Sequence, residues 1–213
     1  DSIHFPYGEK SSAEITSCAS SALSLIEEKW HPRAVVIARN TISVTALDKL
    51  RAQFTSFPIV GTVPAIKVAA EVSKNRRIGL LATNATVNNP YIQRLEKDFA
   101  ADCAVFARGD AALVSFIEKD LFTATAEERR KAVQPAVSYF AENGCDTIIL
   151  GCTHFLHMVA DIQAAAGSGV RVVDSREGVA NQAVRVEQQS SATDTGRIMQ
   201  AADCSLFVTG FTQ

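Results

Sequence analysis

The sequence predicts an α/β protein built on parallel sheets. Short β-branched runs alternate with longer segments of helical period. Most of those runs are continuously apolar, as strands buried on both faces are. Polar clusters follow directly on several of them, at the carboxyl strand ends where open α/β sheets gather ligands. The 213 residues suit one large domain or two small ones.

Ser11-Ser12-Ala13-Glu14 reads as a capping box, in which hydroxyl and carboxylate each satisfy a backbone N–H. The helix it opens carries Ile15, Cys18, Ala19, Ala22, Leu23 and Ile26 at helical spacing, which places Cys18 in the core. Strands are expected at Ala34–Ala38 and Pro58–Gly61, with a helix at Val44–Phe54 between them. A helix at Ala65–Val72 leads to a strand at Ile78–Ala82, and one at Asn88–Phe99 to a strand at Ala104–Ala107. Helices at Ala111–Lys119 and Ala126–Glu142 precede a strand at Thr147–Leu150. A helix at Phe155–Ala166, a strand at Val170–Val173 and a helix at Glu177–Glu187 follow. Gln188–Arg197, rich in Ser, Thr and Gln, reads as a loop before a last strand at Ser205–Val208. Breaks around Pro64 and Asp174 divide the chain into residues 1–64 with 175–213 as one α/β domain and 65–174 as a second.

Charge narrows the partners. With 21 Lys+Arg against 23 Asp+Glu the net charge is −2, which offers no electrostatic case for binding nucleic acid or an anionic membrane. The apolar runs fall far short of the roughly 20 residues that span a bilayer. Five cysteines scattered singly, with no CxxC pair, fit reduced thiols in a cytoplasmic protein rather than a disulfide framework or a zinc site. The chain opens on Asp1 with no charged-then-apolar leader, so no signal peptide is expected.

Val35-Val36-Ile37-Ala38-Arg39-Asn40-Thr41 resembles Ile148-Ile149-Leu150-Gly151-Cys152-Thr153-His154: an apolar strand, a small residue, then a polar cluster before a helix. Two such clusters, one per half, would face a common cleft, with Arg39 in the place of Cys152. A helix N-terminus and a nearby imidazole would lower the thiol pKa of Cys152 below its usual ~8.5. The same residue also reads as a small buried hydrophobe. His154 reads as a substrate-orienting or proton-donating group, or as a partner for a buried backbone group. His154 and His157 have i,i+3 spacing but no third ligand beside them, so no metal is expected. Thr83, Asn84 and Thr86 suit either a bound carboxylate or a helix cap. Pro6-Tyr7-Gly8 forms a turn or sets a phenol and an N–H over a ligand. Cys103 and Cys145 lack any comparable cluster, and His4 and His31 fall in loops.

Taken in order, Pro6-Tyr7-Gly8-Glu9-Lys10-Ser11, Ala38-Arg39-Asn40-Thr41, Ala82-Thr83-Asn84-Ala85-Thr86-Val87, Leu150-Gly151-Cys152-Thr153-His154 and Val173-Asp174-Ser175 resemble the glutamate racemases of the aspartate/glutamate racemase superfamily. The resemblance implies two similar three-layer α/β domains with the active site in the cleft between them. It implies interconversion of L- and D-glutamate for peptidoglycan synthesis without cofactor or metal, often in a homodimer. Two cysteines on opposite faces of the substrate would exchange the Cα proton. On this resemblance Cys152 matches the second catalytic cysteine, and Thr153 and His154 match the adjoining binding and assisting residues. Tyr7, Gly8, Asn40, Thr41 and Thr86 match positions that hold the amino acid, with Thr83 beside them.

Two departures touch catalysis. The family opens with a strand and an Asp-Ser-Gly loop that precede the point where this chain starts. Arg39 stands at the first catalytic cysteine, and arginine stays protonated and cannot abstract a proton. Three readings fit the substitution: a single T-to-C codon change, a binding protein whose guanidinium grips a carboxylate, or a one-thiol superfamily enzyme such as an aspartate racemase relative or a decarboxylase.

Overall fold

The capping box forms as its residues require. In a computed structural model, which describes residues 10–191 together with Ser205 and Phe207, the Ser11 hydroxyl accepts from the Glu14 N–H, and the Glu14 carboxylate accepts from the Ser11 N–H at 2.8 Å. Helix α1 (Ser12–Trp30) buries Ile15, Ala19 and Leu23. Cys18 is only half-buried, packed at the edge of this cluster, because the inward stripe is narrower than the apolar run.

The chain continues through β1 (Val35–Ile37), α2 (Asn40–Gln53), β2 (Ile59–Gly61), α3 (Ile66–Val72), β3 (Arg77–Ala82), α4 (Asn84–Val87), α5 (Pro90–Phe99) and β4 (Ala104–Gly109). There follow α6 (Ala111–Lys119), α7 (Ala126–Glu142), β5 (Thr147–Leu150), a 3-10 helix (Thr153–Met158), α8 (Val159–Ala166), β6 (Arg171–Val173) and α9 (Arg176–Ser191). Strands β1 and β2 pair in parallel, and a second, fully parallel sheet has the order β4-β3-β5-β6. The α/β class with parallel sheets is as the alternation of runs implies.

Several boundaries differ from expectation for local reasons. Helix α2 starts at Asn40, so the polar cluster after β1 is itself the first helical turn. The helix expected at Asn88–Phe99 is two: Asn89 caps α5, with Pro90 at its first position, where a missing N–H costs nothing. Gln188–Ser191 belong to α9 rather than to a loop, since Gln and Ser tolerate a helix interior; residues 192–197 lie outside the described residues. Of the strand expected at Ser205–Val208, Ser205 and Phe207 lie in neither helix nor strand. The Phe207 ring finds its apolar cover on Trp30, with centroids 4.5 Å apart, and Leu206 and Val208 lie outside the described residues.

The larger sheet is covered on both faces. Ile78, Leu80, Ala82 and Ile149 pack with α3 and α5 residues Ala69, Ala70 and Ile92. Leu81, Ile148 and Leu150 face Leu113, Val133, Phe140 and Ile162 from α6, α7 and α8. Gly79 sits directly under the Phe140 ring, where any Cβ would collide. From the central pair, β3 connects outward to β4 and β5 outward to β6, in opposite directions. The carboxyl ends of β3 and β5 therefore flank a topological switch point, where such sheets leave a crevice. Among the described residues no helix is long and apolar enough to cross a membrane.

Candidate active site

Three strand ends converge at that crevice. Register pairs Leu81 with Leu150, and the Gly151 N–H donates to the Leu81 carbonyl at 2.7 Å. Thr83 after β3 and Cys152 after β5 are thus held side by side. A Cβ on Gly151 would crowd Leu80, Ala82 and the Leu81 carbonyl, so glycine permits this approach. The third end is β1, whose following residues reach across. The Thr41 and Thr83 hydroxyls lie 3.4 Å apart, and Asn89 donates to the Thr45 hydroxyl at 3.4 Å.

Thr83 caps α4 by accepting the Thr86 N–H at 3.2 Å, and its hydroxyl donates to the Thr86 hydroxyl at 3.0 Å. Thr86 is wholly buried. Asn40 and Thr41 occupy the first turn of α2, where N–H groups and helix dipole favour an anion. Asn40 is 3% exposed, and its Nδ2 has no hydrogen-bond partner among the described residues. An unsatisfied buried donor costs about 1–3 kcal/mol, a cost that a ligand oxygen would remove.

The thiol stands at the centre of a polar chain. Cys152 Sγ lies 3.1 Å from His154 Nδ1. His154 Nε2 lies 2.8 Å from Glu118 Oε1 and 3.2 Å from Arg39 Nη1. Burial, reinforced by the positive charge of Arg39 and then of His157, pushes the imidazole down to about 4. Glu118 pulls the other way at 2.8 Å, but from so low a position the ring is neutral at pH 7. Burial pushes the Cys152 thiol up, against the downward pull of the His154 N–H, Arg39 and the Phe155 N–H, while Glu118 adds to the rise. The lowered thiol pKa expected from the helix N-terminus is thereby corrected: Cys152 is 5% exposed, and desolvation of the thiolate outweighs the nearby donors. Cys152 is both the small buried residue and the group touching an acid–base partner.

Arg39, Asn40, Thr41, Thr83, Thr86, Cys152 and His154 are therefore brought together. Thr153 lines a cavity of about 260 Å3 that also borders Val36, Thr62, Leu156 and Ser175. Asp174 pairs instead with Arg176 at 2.8 Å. Tyr7 and Gly8 lie outside the described residues. Glu118 escaped the sequence reading, which saw only helix α6. Its one signal is an acid in the last turn of a helix, where the dipole favours a base.

Comparison with known proteins identifies the family. The family model described as Asp/Glu/Hydantoin racemase matches residues 1–183. A glutamate racemase of Treponema pallidum (strain Nichols) is 42% identical over 186 residues, covering 87% of this chain and 69% of the relative. That of Proteus mirabilis (strain HI4320) is 40% identical over 182 residues, covering 84% and 62%. The crystal structure of Escherichia coli glutamate racemase, in complex with L-glutamate and the activator UDP-MurNAc-ala, superposes with a TM-score of 0.78 at 33% identity, covering 88% of this chain and 70% of that one. With strand order, cleft and sequence pointing to one group of proteins, the chain belongs to the Asp/Glu/Hydantoin racemase family.

Proposed function

We propose that the crevice between β3 and β5 takes glutamate, and that Cys152 with His154 and Glu118 is one acid–base arm directed at its Cα proton, in a protein of the glutamate racemase type. One observation carries this: the unbroken contacts from Cys152 Sγ through both His154 ring nitrogens to Glu118, beside an Asn40 Nδ2 that has no partner among the described residues. Interconversion of L- and D-glutamate, the step that supplies D-glutamate for peptidoglycan, needs a proton acceptor on one face and a donor on the other. Cys152 serves one face. Arg39, at the position that the resemblance assigns to the opposing thiol, has no proton-accepting capacity.

The carboxylate-holding parts of the reading are the N-terminal turns of α2 and α4, with Asn40, Thr41, Thr83 and Thr86, joined by Thr153, Tyr7 and Gly8. Residues 1–64 with 175–213, and 65–174, are read as the two α/β domains flanking the crevice. Arg39 adds a permanent cation, which favours an acidic ligand over a neutral one. Titration calorimetry with both glutamate enantiomers, NAD and ATP tests the reading. Glutamate should bind and the nucleotides should not, and Asn40→Ala should weaken glutamate by roughly tenfold. Nucleotide binding without glutamate binding would overturn it.

A further inference from the structure

A single nitrogen, His154 Nε2, carries two contacts of opposite demand. Glu118 Oε1, at 2.8 Å, accepts and so needs a proton on Nε2. Arg39 Nη1, at 3.2 Å, only donates and so needs Nε2 bare. A neutral imidazole has one proton. Whichever partner prevails on Nε2 therefore dictates the other nitrogen: with Glu118, Nδ1 is bare and accepts from the Cys152 thiol; with Arg39, Nδ1 carries the proton and donates to sulfur.

We propose that Arg39 is a ligand-released switch on His154, so that a carboxylate bound in the crevice draws the guanidinium off Nε2, leaves that nitrogen to Glu118, and turns Nδ1 into the base for Cys152. The inference rests on the crevice being the amino-acid site. The proton balance closes within the ring and solvent: Nδ1 gives its proton to water, Nε2 takes one from water, keeps it and hydrogen-bonds through it to Glu118, and the S–H of Cys152 then faces a free lone pair on Nδ1. Proton transfer from sulfur to Nδ1 yields a thiolate and an imidazolium, which Glu118 stabilises. No oxidant or co-reactant is required. Among the described residues, charged and titratable groups reach the ring from several elements: Arg39 from the β1–α2 junction, Glu118 from α6, Cys152 from the end of β5, and His157 from the 3-10 helix. Of these, Arg39 is a permanent cation, and it immediately precedes Asn40 at the head of α2, the turn read above as holding a carboxylate.

The test reads the tautomer directly. Long-range 1H–15N NMR of 15N-histidine protein at pH 7.5 distinguishes the two nitrogens, with His154→Gln for assignment, and thiolate absorbance at 240 nm against Cys152→Ala reports the sulfur. Saturating glutamate should shift the His154 tautomer ratio toward Nε2–H by roughly tenfold, the worth of one exchanged hydrogen bond, and raise the Cys152 thiolate signal. Arg39→Met should hold the Nε2–H form without ligand and ignore glutamate. Glu118→Gln, which leaves Arg39 its full share of Nε2, should populate the Nδ1–H form. Heat of glutamate binding with an unmoved tautomer ratio would overturn the switch and leave the binding reading standing. Absence of any glutamate heat would overturn the binding reading and with it the switch, whereas an unchanged ratio in Arg39→Met, with glutamate still bound by the native chain, would refute the switch alone.

Discussion

At Cys152 two demands oppose each other: a thiol must be enclosed to face a substrate carbon away from water, and enclosure disfavours the thiolate that removes a proton. Burial prevails. Iodoacetamide at pH 7.5 should therefore label Cys152 more slowly than the half-buried Cys18, as peptide mass spectrometry would show; faster labelling of Cys152 would contradict the burial argument. His154 adds a pH signature. Its ordinary pKa is near 6.5 and its folded value about 4, so the unfolded chain binds the proton more readily. Its share of stability is complete above about pH 6.5 and is lost as pH falls toward 4. Urea midpoints between pH 7.5 and 4.5 should fall more for the native chain than for His154→Gln.

At the scale of elements, the site depends on how β3 and β5 are seated. Asp146, just before β5, accepts from the Ser73 hydroxyl at 2.6 Å and from the Lys74 and Asn75 N–H groups at 2.7 and 2.8 Å. It ties the start of β5 to the turn that enters β3. Burial alone would raise this carboxyl, but the Ser73, Asn75 and Lys74 donors outweigh it and lower it. Its stabilisation is present above the ordinary carboxylate range and is lost as pH falls through the lowered value. Asp146→Ala strands those donors and should cost about 2 kcal/mol in urea unfolding. Gly79→Ala, pressed against Phe140, should cost about 1–3 kcal/mol by overpacking.

The same elements explain what was legible in advance. Continuous apolar runs marked β3 and β5 because both faces of the sheet are covered, and the polar residues after them follow from chain continuity. Cys152, His154 and Thr83 were readable on that ground, and Asn40 by the same continuity after β1. Glu118 was not, because it enters from another helix, and a lone carboxylate at a helix end carries no signature of the ring it meets. The raised thiol of Cys152 was hidden for a related reason: local sequence shows a helix start, whereas desolvation comes from burial in a core cluster assembled from several elements, Phe155, Met158 and Leu113 among its members.

Across the whole molecule, the two sheets meet through polar contacts at the crevice: Arg39 with His154, Thr41 with Thr83, and Thr45 with Asn89. A ligand seated among them binds the folded chain alone. Glutamate at ~100 times its dissociation constant should therefore raise unfolding free energy by about 2.7 kcal/mol, read as a higher melting temperature by calorimetry.

The central claim, one thiol arm opposed by an arginine, is tested most directly by incubating the unmodified chain with L- and D-glutamate in D2O, following circular dichroism and deuterium at Cα. The account predicts that each enantiomer keeps its configuration, and that any deuterium entering Cα enters one enantiomer only and not in Cys152→Ala. Interconversion of both enantiomers by the chain with Arg39 in place would contradict it.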